Sequence, residues 1–370
     1  MKKILFTDGK IAELIVENGS PRGGSIVETF VWIRALNELG FKIQILRDAN
    51  DLRRIMPEFS WIEIRPSYSQ TKGLKWLRWP FYRLPKLYQS LKASNPDFVY
   101  DSMPGWSSCF TAYICKILKI KFVMRLMNDN MLDNRVKITH SSFERLLLYK
   151  AFKLADAILP QNQYQHERIN ELFPGKNVGS FFPPFVIDFQ YLKLKESPKG
   201  YIAWVANFRY QKNLKLLFEI ASVITTYQFK IAGAALSYMD EETALYVERL
   251  KTLKNVEFVG VVKREEILEF FSKATYLLNT SHYEGFSNAF LESMATGTPI
   301  LTTGNVNPDG IVNKHGLGLI YSSPDVLKTL LQKTSLDDYR EMSQNCIDYI
   351  QNHHGHLYLG KKLVGFLEQL

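Results

Sequence analysis

The sequence predicts an α/β protein of two doubly wound domains in tandem, with a ligand site in the cleft between them. A chain of 370 residues is longer than one ordinary domain. Short apolar runs alternate with amphipathic stretches, which is typical of parallel strands covered by helices on both faces. The alternation stops near Pro183 and Pro184 and restarts at Tyr201. Ligands of such domains bind beyond the carboxyl ends of the strands.

The first predicted domain is residues 1–185, with a helix near residues 25–39. Its predicted strands are residues 3–6, 42–46, 98–100, 122–124 and 157–159. Ser25 and Glu28 have the spacing of a capping box, which predicts that the helix begins there. Gly23 and Gly24 come just before it and would let the backbone approach a ligand closely. A tight turn that binds nothing explains the two glycines about equally well.

A linker is predicted at residues 186–199, because this segment lacks a periodic pattern and is followed by Gly200 after Ser-Pro-Lys. The second predicted domain is residues 200–355, with a helix near residues 213–226. Its predicted strands are residues 201–205, 228–232, 256–259, 274–278 and 299–302. Residues 356–370 have the pattern of a last amphipathic helix.

The positive charge of the chain lies in its N-terminal half. Residues 1–185 hold 27 Lys and Arg against 17 Asp and Glu, whereas residues 186–370 hold 19 against 20. This asymmetry predicts that the first half faces a nucleic acid, an acidic membrane surface or a phosphorylated substrate. Three cysteines without a CxxC pair, and no apolar run long enough to span a bilayer, favour a cytoplasmic protein without disulfides or a zinc site.

The most informative stretch is SHYEGFSNAFLESMATGTPIL, residues 281–301. It predicts a loop, a helix that begins after Ser287 and ends near residue 296, and a left-handed Gly297. Glu284 lies in the loop, and Glu292 lies about one turn inside the helix. A carboxylate 4 Å from a phosphate is repelled by about 1 kcal/mol even in water, so both glutamates suit neutral hydroxyls better. A sugar nucleotide offers hydroxyls on either side of its diphosphate.

This stretch resembles the signature of the family 4 glycosyltransferases, which have the two-domain GT-B fold with Rossmann-like domains. The resemblance rests on Glu284-x7-Glu292, Gly285-Phe286 and Gly297-Thr298-Pro299, and the order of the loops agrees over most of the chain. It implies that Glu284 contacts the donor sugar, that Glu292 holds the ribose hydroxyls, and that the last helix crosses back to the first domain. It also implies contacts with the donor nucleotide from these residues: Gly23, Gly24, Asn207, Val262, Gly285, Phe286, Ser287, Asn288 and Ala289.

The loop after the second domain's first strand carries two basic residues, Arg209 and Lys212. As fixed cations in a dry cleft they would neutralise a leaving diphosphate. Lys212 falls on the lysine of the family's pattern. The usual arginine position holds Asn207, and Arg209 comes two residues later. A second departure is at Met127 and Asn128, where many family members carry a histidine.

A basic and aromatic segment, residues 65–92, has no acidic residue. It would bind an anionic membrane surface, where each Lys or Arg contributes about 1 kcal/mol. RNA, or a basic loop with aromatic rings packed beneath it, explains the segment as well. Pro80 and Pro85 are expected to interrupt any long helix here. Because the family often acts on lipid-linked acceptors, the membrane is favoured over nucleic acid.

The sequence therefore predicts a retaining, metal-independent glycosyltransferase with a nucleotide-diphosphate sugar as donor, of UDP or GDP type, and no cofactor. Glu284, Lys212 and Arg209 are its candidate catalytic residues. The acceptor would be a glycan or a lipid-linked sugar, as in bacterial surface polysaccharide or lipopolysaccharide synthesis, in the cytoplasm or at the inner membrane face. A sugar-nucleotide epimerase of the same fold, or a non-catalytic RNA- or membrane-binding protein, are the alternatives.

No metal site is predicted, since no Asp-x-Asp occurs. His353, His354 and His356 follow a helical stretch without an acidic partner nearby and are interpreted as a solvated helix end.

Overall fold

Two parallel sheets, each covered by helices on both faces, organise the chain. The computed structural model describes residues 1–21, 23–72, 77–235 and 239–370. Three residues that bear on the predictions lie outside the described residues: Arg22, just before Gly23 and Gly24, and Lys75 and Trp76 of the basic segment. The chain divides into two compact units, one of Met1–Pro184 with His356–Leu370 and the other of Phe185–Gly355.

In the first unit, the described strands form a parallel sheet in the order β3-β2-β1-β4-β5-β6-β7. The strands are β1 Lys3–Phe6, β2 Lys42–Arg47, β3 Glu63–Pro66, β4 Phe98–Asp101, β5 Lys121–Arg125, β6 Ala157–Leu159 and β7 Asn177–Val178. The helices between them are α1 Gly24–Glu38, α2 Leu84–Ser94, α3 Ser108–Leu118, α4 Val136–Thr139, α5 Ser142–Leu154 and α6 Gln163–Leu172.

In the second unit, the described strands form a parallel sheet in the order β10-β9-β8-β11-β12-β13. The strands are β8 Tyr201–Val205, β9 Phe229–Ala232, β10 Val256–Gly260, β11 Ala274–Leu278, β12 Ile300–Thr303 and β13 Gly318–Tyr321. The helices are α7 Leu214–Val223, α8 Glu241–Lys251, α9 Ile267–Ser272, α10 Asn288–Met294, α11 Ile311–Lys314, α12 Pro324–Lys333 and α13 Leu336–His353. A last helix, α14 His356–Leu367, belongs to the first unit.

The α/β class and both doubly wound sheets are confirmed, and each predicted strand is present within one residue at its ends. Strands such as β4 and β11 are buried along their whole length, because helices cover both faces, and they therefore appear in the sequence as continuous apolar runs. The strands β3, β7 and β13 were not predicted, because they are short or only partly buried.

The capping box predicted at Ser25 and Glu28 is wrong. The N-cap of α1 is Gly23, with φ +105°, and it makes no side-chain capping bond. The Glu28 side chain is buried instead, and Arg125 donates to it through Nε at 2.9 Å and Nη2 at 2.7 Å. Gln161 Nε2 donates to its other oxygen at 2.5 Å. Arg125 is fully buried, and leaving its charge without a carboxylate partner would cost more free energy than a capping bond from Glu28 would provide.

Helix α14 packs against α1 within the first unit. A Cβ on Gly360 would lie 2.9 Å from Leu39 and 3.0 Å from Ala35, so glycine lets the two helices approach closely. Residues 186–199, the predicted linker, contain no helix or strand but are held within the second unit. There Lys195 donates through its backbone N to Ser343 Oγ at 2.9 Å and through Nζ to the Ser272 carbonyl at 2.6 Å.

Pro80 and Pro85 do not interrupt the helix of the basic segment. Trp79–Arg83 is a π-helical turn that continues directly into α2. Pro80 lies in the first turn, where its missing N–H removes no intrahelical bond. Pro85 lies inside the continuous run and has no N–H to donate to the preceding turn, and the helix there departs from α to π geometry without ending. Within the described residues, no helix is both long and apolar enough to cross a membrane.

Candidate functional site

The candidate site lies at the point where the second sheet reverses its strand order, between β8 and β11. From β8 the chain proceeds outward to β9 and β10 on one side, and then returns to β11 on the other. Ligands of doubly wound domains bind outside the carboxyl ends of the strands at such a reversal. The loop after β8 supplies Lys212, and the loop after β11 supplies Glu284.

Glu284 and Lys212 form an ion pair between their side chains, which are 10% and 14% exposed. The carboxylate of Glu284 also accepts hydrogen bonds from Ser281 Oγ at 2.9 Å and from Gln211 Nε2 at 3.3 Å. Removing either partner would leave a largely buried charge uncompensated. The pair therefore holds a cation and an anion side by side at the carboxyl edge of the sheet.

The two loops are fastened to each other by hydrogen bonds to the backbone, which fix the pair. His282 N donates to the Gln211 carbonyl at 2.9 Å, and Gln211 Nε2 donates to the Tyr283 carbonyl at 2.8 Å. Thr280 Oγ1 donates to the Lys212 carbonyl at 2.8 Å. After Lys212, Asn213 adopts a left-handed conformation, and its side chain caps α7.

The helix after the Glu284 loop is shorter than predicted. It begins after Ser287, the predicted N-cap, but ends at Met294 rather than near residue 296. Gly297 is left-handed, with φ +62°, and a Cβ there would lie 2.6 Å from the Lys193 carbonyl oxygen. No other residue fits this turn without displacing backbone. Phe286 is buried, with its ring centroid 5.1 Å from that of His354.

Glu292 is a buried carboxyl on this short helix, with 7% of its surface exposed. Burial raises its pKa to about 7, against a smaller opposing effect of the Arg264 charge. Arg264 Nη1 donates to Glu292 Oε1 at 3.4 Å, a long bond from a side chain that is 41% exposed. The carboxyl is thus positioned to exchange a weak partner for a stronger hydrogen-bond donor.

Arg264 was not among the predicted site residues. It lies in the loop after β10, two residues beyond Val262, which the resemblance had already assigned to the nucleotide site. A basic residue just beyond the carboxyl end of a predicted strand, where ligands of such domains bind, could have marked Arg264 as a site residue. It was not predicted because its loop matches no motif.

The remaining predicted residues are spread over both units. Asn207 and Val262 are half-buried at the ends of β8 and β10. Arg209 is exposed, and its carbonyl accepts a bond from Lys212 N at 2.9 Å. Gly285, Ser287 and Ala289 are buried beside Glu292, and Asn288 is half-buried. Gly23 and Gly24 lie in the first unit, where positive φ, and not a close contact within the protein, accounts for glycine at residue 23.

The C-terminal histidines were interpreted as a solvated helix end without an acidic partner, but His356 Nε2 lies 3.5 Å from Glu38 Oε1. The interpretation is also wrong for His354. That residue is fully buried, and its ring lies 5.6 Å from Tyr349 as well as against Phe286. Through its ring contact with Phe286, His354 packs against the loop that carries Glu284, and it is therefore a packing residue. Among the described residues, no cluster of three His, Cys, Asp or Glu side chains has a metal-binding arrangement.

Comparison with known proteins finds a family match for the second half of the chain. Residues 189–353 match the family model described as "Glycosyl transferases group 1". This part of the chain is therefore similar to the domains that the family model describes. It contains the Lys212–Glu284 pair, Arg264 and Glu292.

Solved structures extend the likeness to the whole chain. Anabaena HepE, solved in complex with UDP and glucose, has a TM-score of 0.76 at 16% identity and covers 100% of both chains. Sucrose-phosphate synthase from Thermosynechococcus elongatus has a TM-score of 0.76 at 15% identity, over 100% of this chain and 99% of that one. The lipopolysaccharide outer core galactosyltransferase WaaB has a TM-score of 0.63 at 20% identity, over 100% of both. The fold is therefore GT-B, as the resemblance implied.

A curated relative is the probable sucrose-phosphate synthase of Thermosipho melanesiensis. It is 25% identical over 205 residues, which are 50% of this chain and 46% of the relative. The chain thus spans about half the length of the curated relative that it matches.

Proposed function

We propose that the protein is a retaining glycosyltransferase that moves a sugar from a nucleotide-diphosphate sugar to a glycan or lipid-linked acceptor. The observation that carries the proposal is the ion pair of Lys212 and Glu284, beside buried Glu292, at the strand-order reversal of a domain that matches the group 1 glycosyltransferase model. A UDP donor is the first choice, because HepE was solved with UDP-glucose. A role in bacterial surface polysaccharide synthesis is the setting that we propose.

Each charged residue has a distinct part in this proposal. Lys212 turns from Glu284 to the diphosphate and neutralises the charge that develops as the sugar leaves. The freed Glu284 carboxylate then accepts hydrogen bonds from the donor sugar and supports the positive charge on its anomeric carbon. Glu292 accepts hydrogen bonds from the ribose hydroxyls, and Arg264 or Arg209 adds a second cation at the phosphates. No metal ion is required for these steps.

Retention requires that the acceptor attack from the face that the nucleotide leaves. In the proposed reaction the acceptor oxygen bonds to the anomeric carbon as the bond to the diphosphate oxygen breaks. The acceptor's proton passes to the departing phosphate, so the products are the glycoside and the protonated nucleoside diphosphate. Glu284 lies within hydrogen-bond reach of Lys212 and Ser281, which suits a positioning carboxylate better than a free nucleophile.

Thermal unfolding with a panel of UDP, GDP, ADP and CMP compounds and their sugars tests the proposal. A ligand at about 100 times its Kd stabilises the protein by ~2.7 kcal/mol. We expect one diphosphate series to stabilise the wild type and Glu265→Ala, a control that removes an exposed carboxylate near Arg264, but not Glu292→Ala. Absence of a shift from every compound would contradict the proposal. An epimerised sugar after incubation with donor alone would instead indicate the epimerase.

The first unit offers a surface that suits peripheral membrane binding, and we include this in the proposal. Phe81 is 76% exposed and Ile117 is 67% exposed, on neighbouring helical elements. Between α2 and α3 lies an apolar groove of about 570 Å³. No Asp or Glu occurs between residues 63 and 97 or between residues 101 and 129. An apolar strip on two segments that carry basic but no acidic residues complements an anionic bilayer.

Some aromatic residues of this segment pack inward instead. Trp79 lies against Phe110 and Trp106, with ring centroids 5.2 and 4.8 Å away, and the Arg83 guanidinium lies 5.4 Å from its ring. The membrane contact is therefore assigned to Phe81 and to exposed lysines such as Lys86.

Vesicle flotation tests the membrane contact. We expect the protein to float with vesicles of phosphatidylcholine and phosphatidylglycerol, but not with phosphatidylcholine alone, and to lose several-fold binding on Phe81→Ser. Phe189→Ser is the matched control, since Phe189 is 74% exposed in the second unit. Equal loss in both variants, or no flotation with either lipid mixture, would refute the assignment.

A further inference from the structure

A polar cavity of about 710 Å³ opens in the first unit, and Trp79 of the basic segment is among the residues that line it. Its lining comes from the segments that follow β1, β2, β3 and β4, at their carboxyl ends. The strand order of this sheet reverses between β1 and β4, so the cavity lies at the topological switch point. Its volume is within the roughly 300–1,000 Å³ typical of small-molecule sites.

The lining is acidic, although the N-terminal half as a whole is basic. Its carboxyl residues are Asp8, Glu13, Asp48, Asp51 and Asp101, and its basic residues are Lys10 and Arg53. Arg53 is already engaged, because it donates to Glu13 Oε2 and to Asp51 Oδ2, each at 2.9 Å. Arg47, a buried neighbour of the lining, also donates to Asp51, from Nη2 to Oδ1 at 2.7 Å. The five carboxyl groups still outnumber these three cations, so the formal charge of the site is negative.

The hydrogen-bonding groups of the lining are suited to hydroxyls. One oxygen of Asp8 accepts a bond from Lys10 N at 3.0 Å, while Oδ2 is buried and accepts no bond from the described residues. Asp101 is 5% exposed and accepts a bond from Met103 N at 3.2 Å. Six serine and threonine side chains, together with Asn50, Tyr68 and Gln70, complete the polar part of the lining. Carboxylates accept from sugar hydroxyls, and serine and threonine both donate and accept.

We propose that this cavity binds the acceptor as an uncharged, hydroxyl-rich sugar and rejects a phosphorylated sugar. The inference rests on the proposed function and adds the chemical class of the acceptor. A phosphate brought near Asp8 or Asp48 meets like charge in a partly desolvated site, which predicts more than about tenfold weaker binding than for the uncharged sugar. For a lipid-linked acceptor, the terminal sugar enters the cavity and its phosphates stay outside.

Saturation-transfer NMR on the full chain tests this selectivity. The probes are the methyl glycosides of glucose, galactose and mannose, each compared with the 6-phosphate of the same hexose. We expect at least one methyl glycoside to bind with a Kd more than tenfold below that of its phosphate counterpart. Asp8→Asn and Asp48→Asn should each lower the ratio of the two Kd values, phosphate over methyl glycoside, severalfold. Each substitution removes one repelling carboxylate without changing side-chain size.

Glu58→Gln is the matched control, since it removes the same charge from an exposed residue of the same unit outside the cavity. It should leave the ratio unchanged. Equal or tighter binding of the phosphates, binding of no methyl glycoside, or an unchanged ratio in both aspartate variants would overturn the inference. Nucleotide binding, measured on the same protein, distinguishes failure of this inference from failure of the proposed donor site. Sugar binding without nucleotide binding would refute the donor proposal, and nucleotide binding without sugar binding would refute this one.

Discussion

Replacing Glu292 with glutamine is expected to stabilise the protein by about 3 kcal/mol at pH 8 and to have little effect near pH 4.5. Burial raises the pKa of Glu292 to about 7 in the folded protein, from 4.5 as its ordinary value. The folded state therefore holds a proton that the unfolded state releases between these two values. The stability associated with the neutral carboxyl is complete below pH 4.5 and is lost as pH rises through 7. Glutamine cannot ionise, so it retains that stability.

Urea unfolding at several pH values measures this effect. The difference between Glu292→Gln and wild type should grow from pH 4.5 to pH 7 and then level off. Glu265→Gln, an exposed substitution in the same neighbourhood, should stay within about 0.5 kcal/mol of wild type throughout. If the free energies of unfolding of wild type and of Glu292→Gln changed with pH in the same way, ionisation of the buried carboxyl would not be what lowers the stability.

The stability cost bears on function. A carboxyl that is buried at the expense of stability at neutral pH, with one long bond from Arg264, is poorly explained by folding alone. Ribose hydroxyls would supply the hydrogen bonds that it lacks. A Glu292→Gln variant that is more stable but binds the nucleotide more weakly is the combination that the proposed function predicts, because the amide keeps only one acceptor oxygen.

Sequence patterns predicted the sheets well because buried parallel strands are marked by local composition. β1, β8 and β11 are short apolar runs bounded by polar residues, and their positions were predicted to within a residue. Strands such as β3 and β13 are less buried, and their composition resembles that of loops. Their places in the sheets depend on tertiary pairing, which no local pattern records.

Contacts between distant segments were the part that sequence could not give. The motif marked Glu284 and Lys212 separately, but their ion pair joins residues 72 positions apart. Glu28 had the local spacing of a cap, and its actual partner, Arg125, is 97 residues away. In each case the tertiary fold brings a buried charge next to a side chain of opposite charge. Leaving that charge unpaired would cost more free energy than any local interaction provides.

Turnover of the nucleotide sugar by a Lys212→Met variant tests the central claim most directly. If Lys212 neutralises the departing diphosphate, its loss should lower kcat by about 100-fold or more, which is the effect of removing one fixed donor to a developing anion. KM should change much less, because the interaction strengthens as the charge develops. The donor is the compound that stabilises the wild type in thermal unfolding.

Two further proteins make this measurement decisive. Lys215→Met removes an exposed lysine one turn away in the sequence and should keep wild-type turnover. Lys212→Met with Glu284→Gln removes the charge that the single variant leaves uncompensated, so it shows whether lost turnover reflects lost folding. The account predicts folded Lys212 variants with kcat reduced about 100-fold or more. A folded Lys212→Met protein with kcat within twofold of wild type would contradict it.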